Sequence, residues 1–331
     1  MTRLGDRFPD ADLPHVALGT APTPVRRLDG LDLDAEVWIK DEGVFGDGAW
    51  GGNKVRKLEW IIPEAHRRGT STLFTVGGIG THWGLAAALY GREHGLHTVL
   101  GLVDQPVDDH VREQLRRLDA SGATLHRYPS VGRLKVAAPW ILARHASWSL
   151  RSPPRLPYYL PAGGSSPVGS LGYVEASLEI AAQVEAGLMP EPATIVTAVG
   201  SGGTAAGLLL GLRLAGLRTR VLGVVVNDSF RLDAVTVSRL ANRTAALLRD
   251  RGADVSIDLG PDDLTASDEW MGATYGATTA DGQAALDRAA GIDLELEPVY
   301  TAKALGAVRT LGRDLDGPVL FLQTHGPRPE A

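Results

Sequence analysis

The chain has 331 residues, 44% of them hydrophobic and 22% charged, which is enough apolar material for one large domain or two of ordinary size. A formal charge of −6 argues against a nucleic-acid partner, because no basic face stands ready to pair with a phosphate backbone. The absence of cysteine excludes disulfides, thiolate metal sites and a cysteine nucleophile, and no metal site is expected.

The run from Met1 to Pro14 is polar and carries Asp and Arg, unlike a secretory leader. No apolar run reaches the ~20 residues that span a bilayer, so a cytoplasmic protein with no membrane partner is expected. Val37-Trp38-Ile39-Lys40 reads as a strand. Gly51-Gly52-Asn53-Lys54 then opens a helical pattern through Val55, Leu58 and Trp60-Ile61-Ile62. Leu73 to Val76 is a strand, followed by glycines and a helix from Trp83 to His94. Thr98 to Val103 is a strand, and Val111 to Ala120 a helix with Arg112, Arg116 and Arg117 on its solvent face. The Pro-rich stretch from Arg151 to Pro161 is the best boundary candidate. Thr194 to Val199 is a strand, followed by glycines and the apolar helix Ala205 to Leu214. Val221 to Val226 and Val319 to Gln323 are further strands. Apolar runs bounded by glycine and alternating with helices indicate parallel α/β layers.

Three segments carry chemistry. Only five of the 33 basic residues are lysine: Lys40, Lys54, Lys57, Lys135 and Lys303. A lysine amine can lose its proton and attack a carbonyl to form a Schiff base, which arginine cannot. Glycines and Asn53 before Lys54 let a loop approach a flat ligand closely. The alternative is a turn entering an ordinary helix, with Lys54 and Lys57 as solvated charges. Gly200-Ser201-Gly202-Gly203-Thr204 lies between a strand and a buried helix, where backbone N–H groups and the helix N-terminus suit a phosphate. Gly200, Gly202 and Ala205 also satisfy a dinucleotide fingerprint, with Asp228 as the ribose acid. Asp228 lies 28 residues on, beyond the usual ~20, and no lysine follows the glycines as a P-loop requires. In Gly77-Gly78-Ile79-Gly80-Thr81-His82-Trp83 the turn could hold a substrate carboxylate. Thr81 could equally be an N-cap, and His82 could bind a ligand or titrate.

The chain resembles the fold type II pyridoxal-phosphate enzymes, and more closely the 1-aminocyclopropane-1-carboxylate deaminase/D-cysteine desulfhydrase family. The resemblance runs from Pro22-Thr23-Pro24 to Thr324. It includes Lys40-Asp41-Glu42, Gly52-Asn53-Lys54 with Arg56-Lys57-Leu58-Glu59, and Gly77-Gly78. Further on it includes Pro161 to Ser165, Gly172-Tyr173, Gly200 to Thr204, Tyr275-Gly276, and Pro298 to Thr301 with Lys303. It implies a tryptophan synthase β-like fold of two open-sheet α/β domains, with pyridoxal 5'-phosphate in the cleft between them. The large domain would comprise 1–52 and 161–331, and the small domain 53–160. A homodimer and a small amino-acid substrate are also implied.

Carried over by position, Lys54 is the lysine of the Schiff base and Asn53 precedes it. Gly200, Ser201, Gly202, Gly203 and Thr204 hold the phosphate, and Thr324 lies near the pyridine nitrogen. Tyr275 and Tyr300 are active-site tyrosines, catalytic together with Lys54 and Thr81. The alternative for each tyrosine is an ordinary half-buried aromatic with its hydroxyl satisfied. Gly80, Thr81, His82 and Trp83 stand where the family has Gln-Ser-Asn followed by His or Gln, and are the expected substrate contacts. His82 falls beside the cofactor ring, and Trp83 adds bulk at the pocket edge. Thr301 stands where deaminases tend to have Glu and desulfhydrases Thr. The family's Thr-Gly-Gly ending appears as Thr324-His325-Gly326.

A neutral hydroxyl at the ring nitrogen suits prompt loss of a β leaving group better than transamination. The expected activity is therefore a lyase or deaminase reaction, β-elimination of a D-cysteine-like substrate to a 2-oxo acid and ammonia. β-Replacement or racemisation on the same cofactor is an alternative. A dinucleotide- or metabolite-binding protein is an alternative of another class.

Overall fold

The computed structural model describes residues 2–31, 35–48, 50–107, 109–149, 152–312 and 314–326. Met1, which begins the polar N-terminal run, and Arg151, which begins the Pro-rich stretch, lie outside the described residues.

The chain begins with α1 (Arg3–Arg7), β1 (Val25–Arg27), β2 (Val37–Asp41) and α2 (Asn53–Arg67). It continues with β3 (Thr72–Gly78), α3 (His82–Glu93), β4 (His97–Val103), α4 (Asp109–Ala120), β5 (Thr124–Tyr128) and α5 (Val131–Arg144). Three short strands follow: β6 (Ser147–Ser149), β7 (Ser152–Arg155) and β8 (Tyr158–Leu160). The second half holds α6 (Pro167–Glu185), β9 (Thr194–Val199), α7 (Gly203–Leu214), β10 (Arg220–Val225), α8 (Ala234–Asp250) and β11 (Leu264–Ser267). It ends with α9 (Ala280–Ala290), α10 (Thr301–Leu311) and β12 (Val319–Gln323).

Two parallel sheets result. The larger runs β1-β2-β12-β9-β10-β11, with only the β1–β2 pair antiparallel. The smaller runs β5-β4-β3-β8 and is parallel throughout. The N-terminal β2 pairs with the C-terminal β12, Ile39 beside Phe321, so both chain ends serve one sheet. Every residue of β12 is buried, as expected of a strand covered on both faces. This is the α/β architecture of two open sheets that the sequence implied. The Pro-rich stretch is more than a linker, because β8 within it pairs with β3 and completes the smaller sheet. No helix among the described residues is long and apolar enough to cross a membrane.

Helix α2 is held in place by buried charge. Arg56 pairs through Nε with Glu42 and through Nη2 with both oxygens of Glu179, each 3.1 Å away. Lys40 Nζ donates to Glu179 at 2.5 Å and to Gln183 Oε1 at 2.9 Å, while the Thr23 hydroxyl donates to Glu42 at 2.7 Å. These groups come from β2, the turn after it, α2, α6 and the N-terminal segment. Each charge is compensated, the condition under which ions can be buried at all. The consequence for the site is that the first turn of α2, which carries Lys54, has a fixed direction.

Candidate active site

Helix α2 starts at Gly52, whose φ of +91° is strained for any residue with a Cβ. The Asn53 N–H donates to the Thr324 carbonyl at 3.3 Å, which ties α2 to the exit of β12. Lys54 Nζ donates to Asn53 Oδ1 at 2.8 Å and stands 5.8 Å from the centre of the Tyr300 ring. Burial pulls the Lys54 amine down to about 8, against the charge of Glu297, which favours the protonated form. One turn later Lys57 Nζ donates to the Gly163 carbonyl at 2.9 Å. Burial pulls that amine down to about 7, with the charge of Lys54 adding to the effect.

The glycine turn at 200–203 joins β9 to α7. A Cβ on Gly200 would lie 2.6 Å from Cε1 of Tyr300, so only glycine lets that ring lie against the turn. The Gly200 carbonyl accepts Asn227 Nδ2 at 3.0 Å. At the helix start, Ser165 Oγ accepts the Gly203 N–H at 2.9 Å and shares a 2.8 Å hydrogen bond with Ser201 Oγ. Gly163, the acceptor of Lys57, packs directly on the Ser201 hydroxyl. Thr204 is buried in the first turn. Lys54, Lys57 and the glycine turn thus border one region, and Tyr300 touches both Lys54 and Gly200.

The two expected tyrosines meet, with their hydroxyls 2.6 Å apart. Desolvation raises both phenols, Tyr275 despite its 39% exposure and Tyr300 well above its ordinary value, so each is a neutral hydroxyl at physiological pH. The loop bearing Tyr275 is clipped by Asp228, which accepts the Thr274 hydroxyl at 2.8 Å and the Tyr275 N–H at 3.3 Å. Asp228, the ribose acid of the dinucleotide reading, is therefore already engaged.

At the start of α3, Thr81 is the N-cap, its hydroxyl accepting the Gly84 N–H at 3.1 Å. The Gly80 N–H points to Gln105 Oε1 at 3.4 Å. The His82 ring lies 5.3 Å from Trp50 and 6.1 Å from His325, which follows Thr324. The Trp83 side chain turns inward. It is 3% exposed, its indole N–H donates to Thr75 Oγ1 at 2.8 Å, and its ring packs on Gly164.

Several neighbours of this region carried little or no local signal. Lys57 lies three residues after Lys54 and Ser165 directly after Gly164, and no spacing of its own marks either as a ligand. Glu297 precedes the Pro298-Val299-Tyr300 segment and accepts the N–H groups of Val299, Tyr300 and Thr301. Gln105 and Trp50 come from connections with no pattern of their own.

Known proteins resemble this chain along nearly its whole length. A D-cysteine desulfhydrase of Yersinia enterocolitica is 32% identical over 324 residues, covering 96% of this chain and 94% of its own. A Pyrococcus abyssi protein provisionally named 1-aminocyclopropane-1-carboxylate deaminase is 32% identical over 322 residues, covering 95% and 92%. The crystal structure of a homologue of 1-aminocyclopropane-1-carboxylate deaminase superposes with a TM-score of 0.80 at 28% identity, over 98% of this chain and 94% of that one. The family described as pyridoxal-phosphate dependent enzyme matches residues 16–324, a span that takes in Lys54, both glycine turns and Thr324. The chain belongs to the pyridoxal-phosphate dependent enzymes.

Proposed function

We propose that this protein is a lyase that removes the β substituent of a small amino acid, D-cysteine foremost, to give a 2-oxo acid and ammonia. The observation that carries this reading is Lys54, a partly buried residue whose amine is brought by desolvation to about 8 and is bordered by the Tyr300 ring, which also abuts the glycine turn of α7. The desulfhydrase and deaminase names of its relatives support the same chemistry.

The residues suit the cofactor at both ends. Lys54 would hold its aldehyde carbon. Gly200, Ser201, Gly202, Gly203 and Thr204 would hold its phosphate, where the start of α7 offers N–H groups and a favourable partial charge. Ser165 and Lys57 complete that cradle, since the one already accepts the Gly203 N–H and the other lies against Gly163. Asn53, His82 and Thr324 are the proposed neighbours of the ring. Pyridoxal phosphate, when bound, supplies a carbonyl for the substrate amine and a ring that draws electrons from Cα.

The chain's own groups do the rest. Lys54 Nζ, in its neutral form, takes the α-proton. Tyr300, a neutral hydroxyl paired with Tyr275, passes a proton to the departing β substituent. Gly80 and Thr81, at the start of α3, receive the substrate carboxylate. Overall, cysteine and water become a 2-oxo acid, ammonia and hydrogen sulfide. Trp83 acts indirectly, by supporting the Gly163–Gly164 turn beside Ser201. We place the small domain at 53–160 and the large one at 1–52 with 161–331; the smaller sheet, whose strands all lie within 72–160, supports this division. A cytoplasmic homodimer is the proposed state, and light scattering tests the assembly.

The decisive assay measures 2-oxo acid release from D-cysteine, L-cysteine, D-serine and 1-aminocyclopropane-1-carboxylate. Turnover of D-cysteine and little of the cyclopropane substrate is expected, and Lys54→Ala should abolish both. Efficient deamination of the cyclopropane substrate with none of the β-substituted amino acids would refute the proposal.

A further inference from the structure

The turn that enters α10 is built around one carboxylate. Tyr300 stands at the N-cap of α10, where a side-chain oxygen ordinarily satisfies the free N–H groups of the first turn, and it makes no such bond. Glu297 does so instead. Its Oε1 accepts from Tyr300 N at 2.5 Å and Thr301 N at 2.9 Å, and its Oε2 accepts from Val299 N at 3.0 Å. Thr301 closes the other side, its hydroxyl accepting the Glu297 N–H at 2.9 Å and donating to the Glu297 carbonyl at 3.3 Å. The backbone from 297 to 301 is thus a closed ring of hydrogen bonds.

What this ring fixes is a direction. The Tyr300 side chain leaves the turn with its ring 5.8 Å from the Lys54 amine, its edge against Gly200 and its hydroxyl on Tyr275. Glu297 forms no ion pair within 4.0 Å among the described residues. Desolvating a carboxylate is costly, and for the partly buried Glu297 the compensation comes from three backbone donors. The Glu297 charge also acts on the Lys54 and Lys303 amines without an ion pair, while its hydrogen bonds go to the turn.

We propose that Glu297 is a positioning residue of this active site, gripping the backbone around Tyr300 so that the ring stays between Lys54 and the glycine turn. This rests on the assignment of Lys54 as the cofactor lysine. Glu297 acts through Tyr300, and its removal should be felt chiefly while that ring is present.

The test is a cycle of holoenzymes: wild type, Glu297→Ala, Tyr300→Leu and the double variant, with Glu297→Gln beside them. Turnover number, cofactor loss on dialysis, visible absorbance of the bound cofactor and melting temperature are read for each. Glu297→Ala should lower turnover about 100-fold, the loss that accompanies misplacement of an active-site group by ~1 Å, and hasten cofactor loss. Glu297→Gln keeps one acceptor oxygen and should recover part of both. In the Tyr300→Leu background, Glu297→Ala should cost about threefold or less, because neighbours that act as one are not additive. Equal losses in both backgrounds overturn the proposal, as does wild-type turnover in Glu297→Ala. If Glu297→Ala does not fold, Glu297→Gln enters the cycle in its place under the same criterion. If borohydride still traps cofactor on the Lys54→Ala protein, the site assignment itself fails. Additive losses with an intact Lys54 linkage sink only the role of Glu297.

Discussion

Lys54, partly buried, and Lys57, buried, carry two amines one turn apart on the same helix. An ammonium loses more from burial than a neutral amine, so both are brought to values near physiological pH, about 8 and about 7. The attacking form of Lys54 is the neutral one. Attachment of pyridoxal phosphate to the apoprotein should accelerate as pH rises through about 8 and then level off, measured by stopped-flow absorbance. The same shifts act on stability. Between about 7 and the ordinary lysine value of 10.5, the unfolded chain binds more protons at these two amines than the folded chain does. Where that holds, stability rises with pH. Their contribution should make the apoprotein melt higher at pH 9 than at pH 7, and the rise should shrink in Lys57→Met. Paired melting curves check the sign. Lys54 was legible because lysine is scarce here and glycines precede it. The role of Lys57 depends on Gly163, more than 100 residues away, and no local pattern announces that contact.

At the scale of elements, two features place these groups. The first is the network of Lys40, Glu42, Arg56 and Glu179, in which each residue is at most 1% exposed. Removing one partner strands the others in the interior, so Arg56→Ala should cost about 3–5 kcal/mol in denaturant unfolding. Arg112→Ala, at a surface pair with Asp109, should cost about 1 kcal/mol or less. The second is the turn before α7. Gly200→Ala would drive a methyl into the Tyr300 ring, and the strain should weaken cofactor affinity about tenfold or more. Equilibrium titration with pyridoxal phosphate measures it. The strands around these turns were legible because strands buried on both faces read as apolar runs. Strand β8 was not, because prolines masked a segment whose pairing partner, β3, lies some 85 residues earlier.

Across the whole molecule, the α3 turn and the proposed phosphate turn lie at the carboxyl ends of parallel strands β3 and β9, the usual place for ligands in open α/β sheets. In the proposed site the starts of α2, α3, α7 and α10 contribute Lys54, Thr81 with His82, the phosphate turn and Tyr300. One sheet cannot assemble this site, since β3 precedes the α3 turn in the smaller sheet and β9 precedes the α7 turn in the larger. A change at the His82 side should therefore alter substrate choice while sparing phosphate binding. His82→Asn is expected to shift the ratio of D-cysteine to cyclopropane turnover by about tenfold, about the discrimination a single contact provides, with a smaller loss of cofactor affinity than Gly200→Ala shows. Parallel rate assays and cofactor titrations check both halves.

The sequence by itself determined the α/β class and the order of the main strands and helices, which follow from local periodicity and glycine placement. Its resemblance to a known family carried the cofactor and marked Lys54 and the glycine turn as the candidates to hold it. The tertiary structure decided what each group faces. It turned Trp83 into the core, set Thr81 to capping α3, engaged Asp228 with the Tyr275 loop, and brought Glu297, Lys57 and Gln105 to the site. Those outcomes depend on contacts between segments distant in the chain. Their free energies are set by packing and by the burial of charge, which no local pattern of residues records.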